Sequence, residues 1–278
     1  MLIDTHLHLI YRDRLRYPWL DDFEALNRDN RFEDYSREAH RLGIGGCLHM
    51  EVDVAEDQIE DETAMISELA VEPGSLLRGA ISSCRPESDE FAAHLERSQS
   101  DSVVKGFRRV LHVVPDEIST TPVFRDNIKR LSGTGLTFEL CVLPRQLGIA
   151  AELVDHCPDV TFILDHCGVP DVAGQALDPW RGDIRTLAER HNVMAKISGV
   201  VAYGDPNTWT LDDIRPFVDS TVDAFGTDRI LWGSDSPVCN LGGGLATWVA
   251  ATRALTEDWP ADDRNALFHA NACRLWRL

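Results

Sequence analysis

The chain has 278 residues, with 27 Lys and Arg against 46 Asp and Glu, a formal net charge of −19. That balance excludes the basic face a nucleic-acid binder needs and argues against binding an anionic membrane surface. No apolar run approaches the roughly 18 residues of a transmembrane helix, and MLIDTHLHL has no basic leader, so a cytoplasmic protein is expected. Seven scattered cysteines (Cys47, Cys84, Cys141, Cys157, Cys167, Cys239 and Cys273) form no CxxC pair, which predicts reduced thiols that mostly fill the core.

Eight short apolar, β-branched runs follow one another: Leu2–Leu9, Ile44–Val52, Leu76–Ser82, Val103–Val110, Leu136–Val142, Val160–His166, Val193–Ser198 and Arg229–Asp235. Each has strand length. Between them, segments with apolar residues at helical spacing predict helices over Glu33–Leu42, Gln58–Val71, Asp89–Glu96, Val123–Leu131, Ile149–His156, Asp183–His191 and Asp213–Phe225. Gly43, Gly133 and Gly226 are stop signals, and Pro260–Leu278 reads as one more helix at the C-terminus. This alternation predicts an α/β chain: a (β/α)8 TIM barrel, one domain over 1–278 with an extra C-terminal helix. An open doubly wound sheet is the runner-up, but residues 6–11 read HLHLIY rather than GxGxxG. Two irregular stretches, Ile10–Asp22 and Gly199–Trp209, fall after strands 1 and 7, where barrel enzymes carry their sites.

His6 and His8 lie two apart on a strand, so both imidazoles point one way, at a separation suited to one cation. Asp235 closes the eighth strand. If the barrel closes, strand 8 meets strand 1 and this carboxylate joins the histidines as metal ligand or general base. His166, at the end of strand 6, is a candidate acid/base or further ligand. His49 and Glu51 also sit two apart near the end of strand 2, and Glu51 could complete a metal site; Glu139 on strand 5 is a weaker candidate. Arg108 suits an anion, because its fork grips a carboxylate twice. Lys105 and Lys196 fall inside predicted strands, where an unpaired ammonium is costly, so both are expected to pair with carboxylates or with an anionic substrate. Trp19, Tyr17, Tyr203 and Trp209 are candidate pocket walls. No GxSxG elbow and no phosphate loop is present.

The segments IDTHLHL, YPWL, KGFRRVLH, FELCVLPRQL, ILDHCGVP, KISGV and FGTDRILWGSDSPVCNL, in this order, resemble the amidohydrolase superfamily. They look most like its amidohydrolase 2 branch of sugar-acid and dicarboxylate lactonases, from Ile3 to about Trp276. The resemblance implies a barrel with its site at the carboxyl ends of the strands. It also implies roles for His6, His8, His166 and Asp235, with Arg108 holding a substrate carboxylate or ring oxygen. Two departures stand out. The strand-5 histidine of metal-dependent relatives and the carbamylated lysine of dinuclear ones are missing, and SDSP, with Ser236, replaces the usual SDWP. A dinuclear centre is therefore not expected.

Together these readings predict a hydrolase that opens a lactone of a sugar acid or dicarboxylic acid. Asp235, His166, His6 and His8 would be catalytic, and Arg108, Trp19, Tyr17, Lys196 and Tyr203 substrate-binding. One divalent cation, zinc by preference, would sit on His6, His8, Asp235 and Glu51, unless the site works without metal. The expected partner is an anionic or polyhydroxylated lactone, with a homo-oligomer left open. The rivals are a metal-dependent decarboxylase or hydratase on the same barrel and a non-catalytic sugar-acid binder.

Overall fold

Strand and helix alternate through the whole computed structural model, which describes residues 1–206 and 208–278. Asn207, within the second irregular loop, lies outside the described residues. The strands are β1 (Leu2–Leu7), β2 (Ile44–Met50), β3 (Leu77–Ser83), β4 (Val104–Val110), β5 (Thr137–Cys141), β6 (Phe162–Leu164), β7 (Val193–Ile197) and β8 (Ile230–Trp232). They form one parallel sheet in the order β1 to β8. The sheet curls until its ends meet. Leu7 bridges Ser236, the Asp235 amide donates to the His6 carbonyl (2.8 Å), and the Thr5 hydroxyl donates to the Trp232 carbonyl (2.8 Å). The expected (β/α)8 barrel is thus present, and the doubly wound sheet is not.

Helices α1 (Phe32–Leu42), α2 (Ile59–Ala70), α3 (Phe91–Gln99), α4 (Pro122–Lys129), α5 (Leu147–His156), α6 (Trp180–Ala188) and α7 (Leu211–Phe225) match the predicted segments to within three residues at each end. Their ends follow from sequence. Gly43 closes α1 in a left-handed conformation (φ 78°), and Thr121 caps α4 by accepting from the Phe124 amide. Helix α8 (Leu245–Leu255) was not among the predicted segments. LATWVAATRAL is apolar nearly all round, so it shows no amphipathic stripe to read. The predicted tail helix lies beyond it as α9 (Ala261–Asn265), a π-helical turn (Ala266–Ala270) and α10 (Asn271–Trp276).

The amino-terminal half of the barrel interior is apolar. Ile3, Leu48, Ile81, Ile163, Met194 and Leu231 form one buried cluster, which Ala272 and Trp276 of α10 plug from below. Each such side chain contributes on the order of 1.5–3 kcal/mol through burial. Lys105 lies on this face beside Leu275 and Arg277 and makes no ion pair among the described residues, contrary to the expected carboxylate partner. All seven cysteines are free, and six are buried. No helix among the described residues is long and apolar enough to cross a membrane.

Candidate active site

Two residues further along the same inward rows, the chemistry changes. Ile163 gives way to Asp165 and Met194 to Lys196, both fully buried. Strand β1 needs a correction to reach the same layer. Asp4 pairs with Cys47 but Leu7 with His49, so β1 carries one extra residue between them. This bulge shifts the alternation. Asp4, which simple alternation would put beside His6, instead accepts from the Ser234 amide (2.7 Å) and the Tyr35 hydroxyl (2.7 Å), strapping β1 to α1 and to the loop after β8. His6 and His8 turn inward. Gly233 makes the room: a Cβ there would sit 2.6 Å from that of His6.

The other two candidate catalytic residues lie just beyond their strands rather than on them. Strand β6 ends at Leu164, and His166 sits in a left-handed turn (φ 52°); β8 ends at Trp232, and Asp235 is likewise left-handed (φ 58°). Such backbone costs about 1–3 kcal/mol for a residue other than glycine and re-aims the side chain. Barrel closure holds Asp235, whose N donates to His6 O and whose O accepts from Cys239 N (both 2.8 Å); His166 O accepts from Val169 N (2.9 Å) within its own turn.

The result is a carboxylate ringed by imidazoles. Asp235 Oδ1 is 3.4 Å from His8 Nε2 and 3.8 Å from His6 Nε2, and Oδ2 is 3.9 Å from His166 Nδ1. Oδ2 is buried and accepts no hydrogen bond among the described residues. Surrounding groups set the tautomers. His8 Nδ1 lies 3.0 Å from the Met50 and Glu51 carbonyl oxygens, which can only accept, so this nitrogen carries the hydrogen and Nε2 presents a lone pair. His6 Nε2 faces the donor Arg108 Nη1 at 3.3 Å, while Nδ1 lies between Asp165 Oδ1 (3.3 Å) and the donor Lys196 Nζ (3.4 Å). His166 Nδ1 is 2.9 Å from the Ser198 hydroxyl, and Gly199 (φ 70°) lets the chain pass: a Cβ there would meet the imidazole at 2.7 Å.

Electrostatics follow from burial. Desolvation pulls His6 well below its ordinary value, His8 to about 3 with help from Arg108, and His166 downward. All three are neutral at pH 7. Desolvation pushes Asp235 up to about 6, against the pull of His166 and Arg108. Asp165 differs: burial would raise it, but Lys196 and His6 more than offset that and hold the carboxyl well below the usual range. Burial also raises Glu139, to about 8, despite Lys196 Nζ 2.9 Å away.

His6, His8 and Asp235 offer three donor atoms within 4.8 Å of one another, and His6, Asp165 and His166 form a second such group. The first set fits a divalent cation on structural grounds. The His8 Nε2 lone pair and the buried Asp235 carboxylate face one another, and His6 Nε2 would join them on giving up its contact with Arg108 Nη1 (3.3 Å). Glu51, expected as a fourth ligand, is engaged elsewhere: Oε1 accepts from Arg108 Nε (2.6 Å) and Oε2 from the Asp53 amide (2.7 Å). Its predicted neighbour His49 faces outward, with Nε2 3.2 Å from Glu62 of α2.

A cavity of about 490 Å³ opens over this ring, lined by His8, His166, Asp235, Arg108, Trp19 and Tyr203, among others. Three other expected residues do not line it. The Tyr17 hydroxyl accepts from the Tyr11 amide inside the first loop. Lys196 is fully buried below, between Glu139 and Asp165 (3.4 Å), and Trp209 donates to the Gly242 carbonyl. The role of Asp165 was missed, although it directly precedes His166 in ILDHCGVP: it joins His6, Arg108 (3.4 Å) and Lys196 in one network.

Comparison with known proteins covers nearly the whole chain. An amidohydrolase family model matches residues 3–278. The chain belongs to the amidohydrolase family. An L-fucono-1,5-lactonase of Burkholderia multivorans is 27% identical over 99% of this chain and 96% of its own length. One from Burkholderia ambifaria is 25% identical over 99% and 95%. A Burkholderia multivorans amidohydrolase crystallised with bound Zn superimposes with a TM-score of 0.90, at 26% identity over 100% of this chain and 99% of that one.

Proposed function

We propose that the protein opens a lactone ring by adding water to its carbonyl. The observation that carries this reading is the buried, unpartnered Asp235 Oδ2 at the base of the cavity, with three neutral imidazoles around its carboxylate. The lactonases at 25% and 27% identity support it. Asp235 takes a proton from water as the water oxygen bonds to the carbonyl carbon. As the ring C–O bond breaks, Asp235 passes the proton it took from water to His166, which in the same step gives one to the departing oxygen, so the imidazole ends neutral. Arg108, held by Glu51 and Asp165, keeps positive charge near the developing oxyanion. A positioned base is worth roughly 10²–10⁴-fold, and an oxyanion contact about 10²–10³-fold. His6, His8 and Asp235 Oδ1 would hold a divalent cation, zinc fitting the N2O donors, which would supply Lewis acidity at the carbonyl.

Proton release from a panel of lactones, measured for the wild type and for Asp235→Asn and His166→Ala, tests the proposal. Hydrolysis that both substitutions reduce is expected. A wild type inert across the panel, or variants as active as wild type, would remove it. Metal analysis with chelation and zinc return tests the cation separately.

A further inference from the structure

Beyond its reacting end, the cavity offers little for a polar ligand to hold. Its outer wall is built from Trp19, Phe23, Leu26, Val113, Val238 and Leu241. Trp19 donates its only N–H to the Val52 carbonyl (2.8 Å), so just the ring face remains. The Asp, Glu, Lys and Arg residues lining the cavity, among those described, are Asp53, Arg108 and Asp235. Asp53 faces Arg85 at 3.4 Å. Arg108 sits at the reacting end, tied to Glu51 and Asp165, and four of its five N–H groups point at Glu51, His6 and Asp165. Among the described residues, no unpaired cation lines the outer part of the cavity, where a carboxylate on the substrate's far side would lie. The remaining polar groups, the Tyr203 hydroxyl and the His112 ring (Nδ1 3.3 Å from Cys141 Sγ), are too few for the hydroxyls of a sugar ring.

We infer, resting on the lactone-opening reading, that the substrate is an uncharged lactone carrying an alkyl or aryl substituent. This differs from the anionic or polyhydroxylated lactone that the sequence suggested. A carboxylate entering here loses its hydration with no partner in return, and each unmatched hydroxyl does the same on a smaller scale. An apolar substituent against Trp19, Leu241 and Val238 sheds water on both sides. The volume of about 490 Å³ accommodates a ring with such a substituent.

The test compares kcat/KM for dihydrocoumarin and δ-decalactone with that for L-fucono-1,5-lactone and 2-pyrone-4,6-dicarboxylate. The apolar pair should exceed both others by at least about 10²-fold, since even single methylene groups in a fitted pocket shift kcat/KM roughly 10–200-fold. Equal or better turnover of either polar lactone overturns the inference. If no lactone is opened, the hydrolase reading fails alone, and calorimetry with the matching lactams decides the ligand class. An alkyl lactam binding at least about ten times tighter than a polyhydroxylated one upholds the inference; the reverse, parity, or no binding overturns it. Val113→Arg, at an exposed rim position, should raise the dicarboxylate-to-alkyl ratio about ten-fold or more, and an unchanged ratio also counts against it.

Discussion

The two ends of the barrel interior are built from the same strands and the same inward rows, yet they solve opposite problems. Toward the amino-terminal end, Ile163, Met194 and Leu231 fill space under the Trp276 plug. Two residues on, the rows of Ile163 and Met194 reach Asp165 and Lys196, fully buried and linked to His6, Arg108 and Glu139. The lower half stabilises through burial, whereas the upper half costs stability for each charge it desolvates and recovers it only through pairing. One barrel thus contains an apolar foundation beneath a layer of paired charges.

The comparison breaks most directly at Leu231→Asp, which buries an unpaired carboxyl in the apolar layer. Loss of folding, or more than about 4 kcal/mol of stability by urea denaturation, is expected. Asp235→Asn should do the converse, lowering kcat about 10²–10⁴-fold while the melting temperature moves by only a few degrees. Trp276→Ala should cost about 3 kcal/mol in urea unfolding, with kcat at 25 °C essentially unchanged, because the plug packs in the lower layer.

Two pH measurements sharpen the contrast. The proposed base, Asp235, would act only when ionised, so kcat/KM should climb as pH rises through about 6, and Asp235→Asn should erase that limb. Glu139 should affect stability instead. Its folded value, about 8, lies above its unfolded value, about 4.5, so the folded protein holds more protons between them. Its contribution is complete below about pH 4.5 and is lost as pH rises through 8. Glu139→Gln should therefore flatten part of any fall in melting temperature between pH 6 and 8.5. Asp165 and Glu51, held low, lose their contributions only in acid, outside that window.

Local pattern made much of this molecule legible. The period-two strands, the glycine stops and the spacing of His6 and His8 are short-range features that survive in almost any context. They specify eight strands, most helices and a histidine pair. Helix α8 escaped because an all-round apolar helix has no stripe. Tyr17 in the first loop, Lys196 inside strand 7 and Glu51 near the end of strand 2 are read by residue type, and that does not say which neighbour claims a side chain: Tyr11, Glu139 and Arg108 do.

Only the closed barrel decided the rest. The meeting of β1 with the residues after β8 puts His6 and His8 beside Asp235 from the far end of the chain. The bulge in β1 turns Asp4 away from them, and left-handed turns after β6 and β8 aim His166 and Asp235 inward. These are consequences of long-range hydrogen bonds and crowding, which no local sequence window contains.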